Sequence, residues 1–277
     1  MELAIHHRGF ALSTPRAGSA PAAPRLAFLG SPQRAALLVV AAVCWLVTAS
    51  LASDMGAMAG TMGLGVVGFV GVWTLMMAAM MLPSISPLTG LYLGTLGDHR
   101  ARRSLLLAAG YLTVWAAFGI AAFVLAAVAE RLAANAPGWA QATAVGICIV
   151  CGIYQMTSLK DRCLARCRTP LGQLLRYRSM IGPLVDVRVG VSHGAWCVSC
   201  CWSLMVVLIA FGVMNLIVMV VLAAVIFVEK LVAPGRWFSI LVGAAAFALA
   251  VGVWIDPALA PGLHWETAMT HTMMGGQ

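Results

Sequence analysis

The stretch LLLAAGYLTVWAAFGIAAFVLAAV, residues 105–128, contains no charged side chain. A helix needs about 20 mainly apolar residues to cross the hydrocarbon core of a bilayer, so this stretch predicts a membrane span. Five further apolar segments lie on either side of it along the chain. The six predicted spans are 35–52, 63–82, 105–128, 139–159, 202–228 and 237–255. The sequence therefore predicts an all-α, polytopic membrane helix bundle with about six transmembrane helices.

The composition of the 277-residue chain supports this class, because 62% of the residues are hydrophobic and only 9% are charged. Soluble domains carry about 25% charged residues. Disordered chains combine low hydrophobicity with high net charge. Both classes are excluded. We expect three parts, namely a flexible cytoplasmic tail over 1–33, a six-helix membrane domain over 34–256 and a short C-terminal tail over 257–277.

The basic residues predict the orientation, since cytoplasmic loops of membrane proteins collect Lys and Arg. With both termini in the cytoplasm, 14 of the 17 Lys and Arg fall in cytoplasmic segments. We therefore expect a multi-pass protein of the inner membrane with both termini cytoplasmic. This topology also explains the net charge of +8. No nucleic-acid-binding motif accompanies that charge, so the predicted surroundings are the lipid bilayer and not nucleic acid.

Acidic residues are nearly absent from the predicted spans, because all nine Asp and Glu lie in loops, tails or span ends. Proton-coupled pumps usually place carboxylates at mid-membrane depth, so this class is disfavoured. The chain has 8 Cys and 16 Met. Soft sulfur ligands are thus the main chemistry that the sequence places within the membrane.

The segment WCVSCCW, residues 196–202, is the strongest candidate site. In a helix, Cys197, Cys200 and Cys201 share one face, and Met205 continues that face one turn later. Thiolate and thioether ligands favour Cu(I), zinc or iron–sulfur clusters. Buried cysteines also pack as small hydrophobic residues, but three within five residues favour a metal site. His193, one turn earlier, is a further candidate ligand.

The segment WTLMMAAMMLP, residues 73–83, repeats this spacing with methionine. Met77, Met80 and Met81 lie at i, i+3 and i+4, and Met76 pairs with Met80. Thioethers bind Cu(I) well and hard divalent ions poorly, although methionine also serves as a flexible apolar filler. We expect this cluster at the cytoplasmic end of the second span, at the same depth as the cysteines at the start of the fifth.

Two further cysteine pairs have helical spacing. Cys163 and Cys167 lie one turn apart in a basic segment, where neighbouring cations stabilise thiolates. They are candidates for exchanging metal with a cytosolic donor or acceptor protein, or for a redox pair. Cys148 and Cys151 form a CxxC inside the fourth span and are possible further ligands, although small residues often simply pack between membrane helices.

The sulfur blocks resemble a bacterial and archaeal family of predicted metal-binding integral membrane proteins, a domain-of-unknown-function family. The blocks are WTLMMAAMMLP at 73–83, SLKDRCLARCRTP at 158–170, and the segment 194–230 with CVSCCW, LM, GVMN and EK. The resemblance implies a membrane fold and a bound metal.

We therefore expect a soft metal ion, namely Cu(I) with zinc as an alternative, held for metal transport or delivery. Cys197, Cys200 and Cys201 are the expected core ligands. Two other functions stay open. One is a membrane thiol–disulfide oxidoreductase that uses the pairs Cys163/Cys167 and Cys197/Cys200. The other is a non-catalytic assembly or scaffold subunit.

Overall fold

The computed structural model describes residues 32–55, 60–94, 99–178, 180, 182–232 and 235–263. The helices in this part of the chain are α1 (Pro32–Met55), α2 (Val66–Gly94), α3 (Arg100–Asn135), α4 (Pro137–Met156), α5 (Ser158–Arg168), α6 (Pro170–Arg178), α7 (Val185–Ala210), α8 (Leu216–Phe227) and α9 (Arg236–Ile255). Six of them, α1, α2, α3, α4, α7 and α9, are long and apolar enough to cross a membrane. The predicted all-helical fold is confirmed. Most of the two predicted tails lies outside the described residues.

The sequence predicted that the second span stops before Pro83. Helix α2 instead continues through Pro83 and Pro87 to Gly94. A proline removes one backbone donor, and this leaves the carbonyl four residues earlier without its partner. The hydroxyl of Ser86 donates a 2.9 Å hydrogen bond to the carbonyl of Pro83, which Pro87 leaves free. Such side-chain donors let membrane helices tolerate proline.

The sequence predicted one span over 202–228. The structure instead divides this apolar run between the end of α7 and the separate helix α8. Gly212 breaks the run with a φ of 97°, a left-handed conformation that glycine adopts without strain. Asn215 then caps α8, because its side chain accepts a 3.2 Å hydrogen bond from the backbone of Val218. With 12 residues, α8 is about 18 Å long and too short to cross a bilayer.

Contacts between helix ends define one end of the bundle, called here the basic end. Asp186 at the start of α7 accepts hydrogen bonds from Tyr92 of α2 (2.7 Å) and from Arg103 of α3 (3.1 Å). Arg236 at the start of α9 pairs with Asp161 of α5 at 3.4 Å. In the described helices, nearly all Lys and Arg lie toward this end.

The opposite end holds Arg131, which is the exception to this distribution. Glu130 near the end of α3 accepts a 2.9 Å hydrogen bond from Thr61, just before α2. Gln141 near the start of α4 donates to the carbonyl of Val253 near the end of α9 (3.2 Å). Helix α9 therefore runs away from the basic end. Because α8 and the helical turn Val228–Val232 bring the chain back to the basic end, α9 ends at the end of the bundle opposite to the start of α1.

Helices α3 and α7 pack closely, and this packing positions the candidate site. A Cβ atom at Gly110 would collide with the backbone carbonyl of Val187, and one at Gly190 would collide with that of Leu107. Glycine lets two membrane helices approach in this way. The residue after Gly110 is Tyr111, whose side chain is thereby brought to α7.

Candidate metal centre

The thiol cluster, defined as Cys197, Cys200 and Cys201, lies buried in the middle of α7. Helices α4 and α9 have 20 residues each, about 30 Å, which matches the hydrocarbon thickness of a bilayer. Tyr154 near the end of α4 donates a hydrogen bond to the carbonyl of Ser199. The cluster therefore lies at the level where α4 ends, and the first half of α7 extends beyond that level at the basic end.

The sulfur atoms of three cysteines form a connected series. The Sγ of Cys200 lies 3.3 Å from that of Cys201. It also lies 3.7 Å from the Sγ of Cys167, which α5 contributes and which is partly exposed. All three thiols are free. The contact between Cys167 and Cys200, which are 33 positions apart in the sequence, thus links a partly exposed thiol to the buried cluster.

Cys197 has a different environment, because its sulfur contacts two polar groups. Lys230 donates a hydrogen bond from Nζ to the Sγ of Cys197 at 2.8 Å. The hydroxyl of Tyr111 lies 2.9 Å from the same sulfur. Burial alone lowers the pKa of Lys230, but the attraction of the neighbouring thiolates is stronger and raises it well above its ordinary value. The ammonium therefore stays charged beside the sulfur at neutral pH.

A buried ion pair lies on the other side of the cluster. Nζ of Lys160 lies 2.8 Å from Oε2 of Glu229 and donates a 2.7 Å hydrogen bond to the carbonyl of Cys200. Ser239 donates to the second carboxylate oxygen at 3.1 Å. Burial lowers the pKa of Lys160, but the attraction of Glu229 and the thiolates outweighs this effect and raises it. Both charges are therefore compensated and hydrogen-bonded, as buried charges must be.

Glu229, Lys230 and Tyr111 were not among the residues expected at the site. The predicted fifth span, 202–228, starts at the cytoplasmic side, so it would place Glu229 and Lys230 at the outer face. The structure places them at the level of the thiol cluster, because the chain turns at Gly212 and α8 brings it back. Tyr111 carried no sequence signal. A sequence signal for the turn did exist, since Gly212 and Asn215, two residue types common in turns, interrupt the apolar run 202–228.

The methionine cluster, defined as Met76, Met77, Met80 and Met81, is buried in the same apolar core as the thiol cluster. The hydrogen bond between Tyr92 and Asp186 sets the antiparallel register of α2 and α7. Met81 lies 11 residues before Tyr92 on α2, and Cys197 lies 11 residues after Asp186 on α7. Because both helices rise about 1.5 Å per residue, the two clusters lie at about the same level. The predicted role of the methionines as ligands for a soft metal stays a prediction.

The remaining candidate ligands occupy separate positions. His193 is buried, and its Nδ1 lies 2.8 Å from Oε1 of Gln173. A histidine that binds a metal through one ring nitrogen usually forms a hydrogen bond through the other, as Nδ1 of His193 does here. Met205 is buried one turn beyond Cys201. Cys163, Cys148 and Cys151 are also buried, and in the described part of the chain none of these three forms a hydrogen bond with the thiol cluster.

The donor arrangement favours a low coordination number. Within the described ranges, no three or more His, Cys, Asp or Glu side chains are gathered closely enough to hold one metal ion. Structural zinc is almost always bound by four such ligands. A pair of thiols, with thioethers nearby, suits a soft ion such as Cu(I) better.

Residues 70–255 match the family model PpoB2, described as a copper chaperone. The match covers about two thirds of the chain and includes both sulfur clusters. The chain belongs to the PpoB2 copper chaperone family. Membership implies copper binding, which agrees with the metal expected from the sulfur residues. No curated protein and no solved structure matches the chain.

Proposed function

We propose that this member of the copper chaperone family binds Cu(I) on the thiol cluster and exchanges it with a cytosolic protein. The observation that carries the proposal is the series of sulfur atoms from Cys167 through Cys200 to Cys201, with separations of 3.7 and 3.3 Å. The basic end is cytoplasmic by the distribution of Lys and Arg. With this orientation, the proposed site lies at the inner boundary of the inner membrane.

Cys167 is the proposed entry and exit point for the ion. It is partly exposed on α5, whereas Cys200 is fully buried on α7. Low-coordinate Cu(I) can change partners one thiolate at a time, so a series of thiols allows transfer without release of free copper. Cys163, one turn earlier, is buried and is the proposed second thiol that holds the ion after Cys167 has received it.

The methionine cluster is the proposed further part of the relay, with Met205 beside it. Its thioethers lie at the level of the thiol cluster and are neutral, so they bind Cu(I) without offsetting its charge. Met77, Met80 and Met81 would accept the ion in transit between the thiol cluster and the deeper part of the bundle.

Metal analysis of the purified chain tests the proposal. Wild type, the Cys197/Cys200/Cys201→Ser triple variant and the control Cys44→Ser would be loaded with Cu(I) under anaerobic, reducing conditions. Near-stoichiometric copper is expected in wild type and in the control, whose cysteine lies apart on α1, and little is expected in the triple variant. Copper retained by the triple variant would contradict the proposal, as would preferential binding of zinc or iron by wild type.

The contact between Cys167 and Cys200 also favours a second candidate, the thiol–disulfide oxidoreductase. The two sulfur atoms are 3.7 Å apart, and a disulfide needs about 2.05 Å, so a small movement would join them. Acid trapping, alkylation and mass spectrometry of protein from growing cells would show a Cys167–Cys200 disulfide if this function operates. A scaffold role would instead leave metal content and phenotype unchanged in Cys197→Ser and Cys201→Ser.

A further inference from the structure

Lys230 occupies an unusual backbone position next to the thiol cluster. It lies in the π-helical turn Val228–Val232, which directly follows α8. Single π-turns are rare and often occur at functional sites. Its side chain is buried and reaches the Sγ of Cys197 at 2.8 Å.

The charge of Lys230 is not balanced by a carboxylate. Among the described residues, the buried carboxylate beside it, that of Glu229, pairs with Lys160 and not with Lys230. The hydrogen-bond partner of the Lys230 ammonium in this part of the chain is the sulfur of Cys197. The site thus contains one positive charge that only the thiolates, or a complex they form, can balance.

Formal charges decide which metal complex fits this site. Cu(I) bound by Cys197 and one neighbouring thiolate, with the other thiols protonated, carries a net charge of −1, which the Lys230 ammonium beside Cys197 neutralises. A divalent ion with two thiolates is neutral and leaves the ammonium uncompensated. Three thiolates would balance a divalent ion, but among the described residues no three such side chains are placed to hold one ion together. Uncompensated buried charge is strongly unfavourable.

We infer that Lys230 is a built-in counter-cation that makes the thiol cluster select a monovalent soft ion over a divalent one. This inference rests on the proposed function and adds the basis of its metal specificity. Lys230 then contributes to affinity through charge and not through packing alone.

Two substitutions separate charge from packing. Lys230→Met keeps most of the side-chain length and removes the charge, whereas Lys230→Arg keeps the charge. Arg236→Gln is the matched control, because it removes one positive charge at the same end of the bundle from an exposed side chain.

The experiment compares Cu(I) and Zn(II) affinities of the detergent-purified full chain by competition with chromophoric chelators. Lys230→Met is expected to weaken Cu(I) binding by about 10- to 100-fold, the usual effect of losing a group that supports a ligand. Zn(II) binding is expected to stay the same or to tighten, so the preference for Cu(I) falls. Lys230→Arg and Arg236→Gln are expected to keep the wild-type preference.

Three results would overturn the inference. An equal loss of affinity for both ions in Lys230→Met would show a structural role. An unchanged preference in that variant, with Cu(I) still bound to the thiol cluster in wild type, would overturn the inference and leave the proposed function standing. Failure of wild type to bind Cu(I) would overturn both.

Discussion

The thiol cluster on α7 and the methionine cluster on α2 share a spacing, a level in the bundle and a common apolar core, yet their surroundings differ. The cysteine side contacts fixed polar groups, with Lys230 at 2.8 Å and Tyr111 at 2.9 Å from the Sγ of Cys197. The methionine side adjoins Trp73 and the small residues Ala78 and Ala79, which are all buried. Sequence spacing identifies both clusters as sulfur-rich faces, and the neighbouring charges distinguish them.

This difference indicates two roles in copper handling. Thiolates offset the positive charge of Cu(I), and the buried cations adjust the net charge of the complex. Neutral thioethers leave the charge of the ion uncompensated, which suits brief occupancy. We therefore expect the thiol cluster to retain the ion and the methionine cluster to pass it on.

The largest expected effect comes from the ion pair that supports the thiol cluster. Lys160→Met leaves the carboxylate of Glu229 buried without its cation, which typically costs about 3–5 kcal/mol. We expect a clear fall in the Tm of the detergent-solubilised protein. The double variant Lys160→Met/Glu229→Gln should recover much of the loss, since both charges are then gone. A wild-type Tm in Lys160→Met would show that the pair does not support this region.

The next effect separates the two clusters by affinity. Cys200→Ser removes the thiol that contacts both Cys167 and Cys201. Its Cu(I) affinity should fall by more than about 100-fold, which exceeds the usual effect of losing a supporting group. The matched variant Met80→Leu should keep the wild-type equilibrium affinity of the thiol cluster. Equal losses in a chelator competition would contradict the division of roles.

A smaller effect is expected from replacing the methionine cluster. Met and Leu have similar volumes, and such swaps usually cost less than about 1.5 kcal/mol each. Met77/Met80/Met81→Leu should therefore keep the fold and the bound copper but slow copper transfer to an acceptor. Stopped-flow transfer measurements would check this, and an unchanged rate would identify these methionines as packing residues.

The smallest effect concerns Cys167 at the edge of the thiol series. Bound Cu(I) should slow alkylation of Cys167 by a water-soluble maleimide relative to the metal-free protein. Mass spectrometry of the labelled peptides would report both rates. Equal rates for Cys167 in both states would remove it from the path.

The sequence predicted the helical membrane fold and both sulfur clusters, because apolar length and i, i+3, i+4 spacing are local properties. It did not predict the direction of α9, since hydropathy does not distinguish one long span from α7 followed by the short α8. The contact of Cys167 with Cys200 and the position of Lys230 depend on how separate helices pack. Neither follows from spacing along the chain.

X-ray absorption at the copper edge of the Cu(I)-loaded chain tests the central claim most directly. We expect an all-sulfur first shell of low coordination number in wild type. We also expect the Cys197/Cys200/Cys201→Ser variant to lack this signal, while Cys44→Ser keeps it. A first shell of nitrogen or oxygen in wild type, or an unchanged sulfur shell in the triple variant, would contradict the central claim.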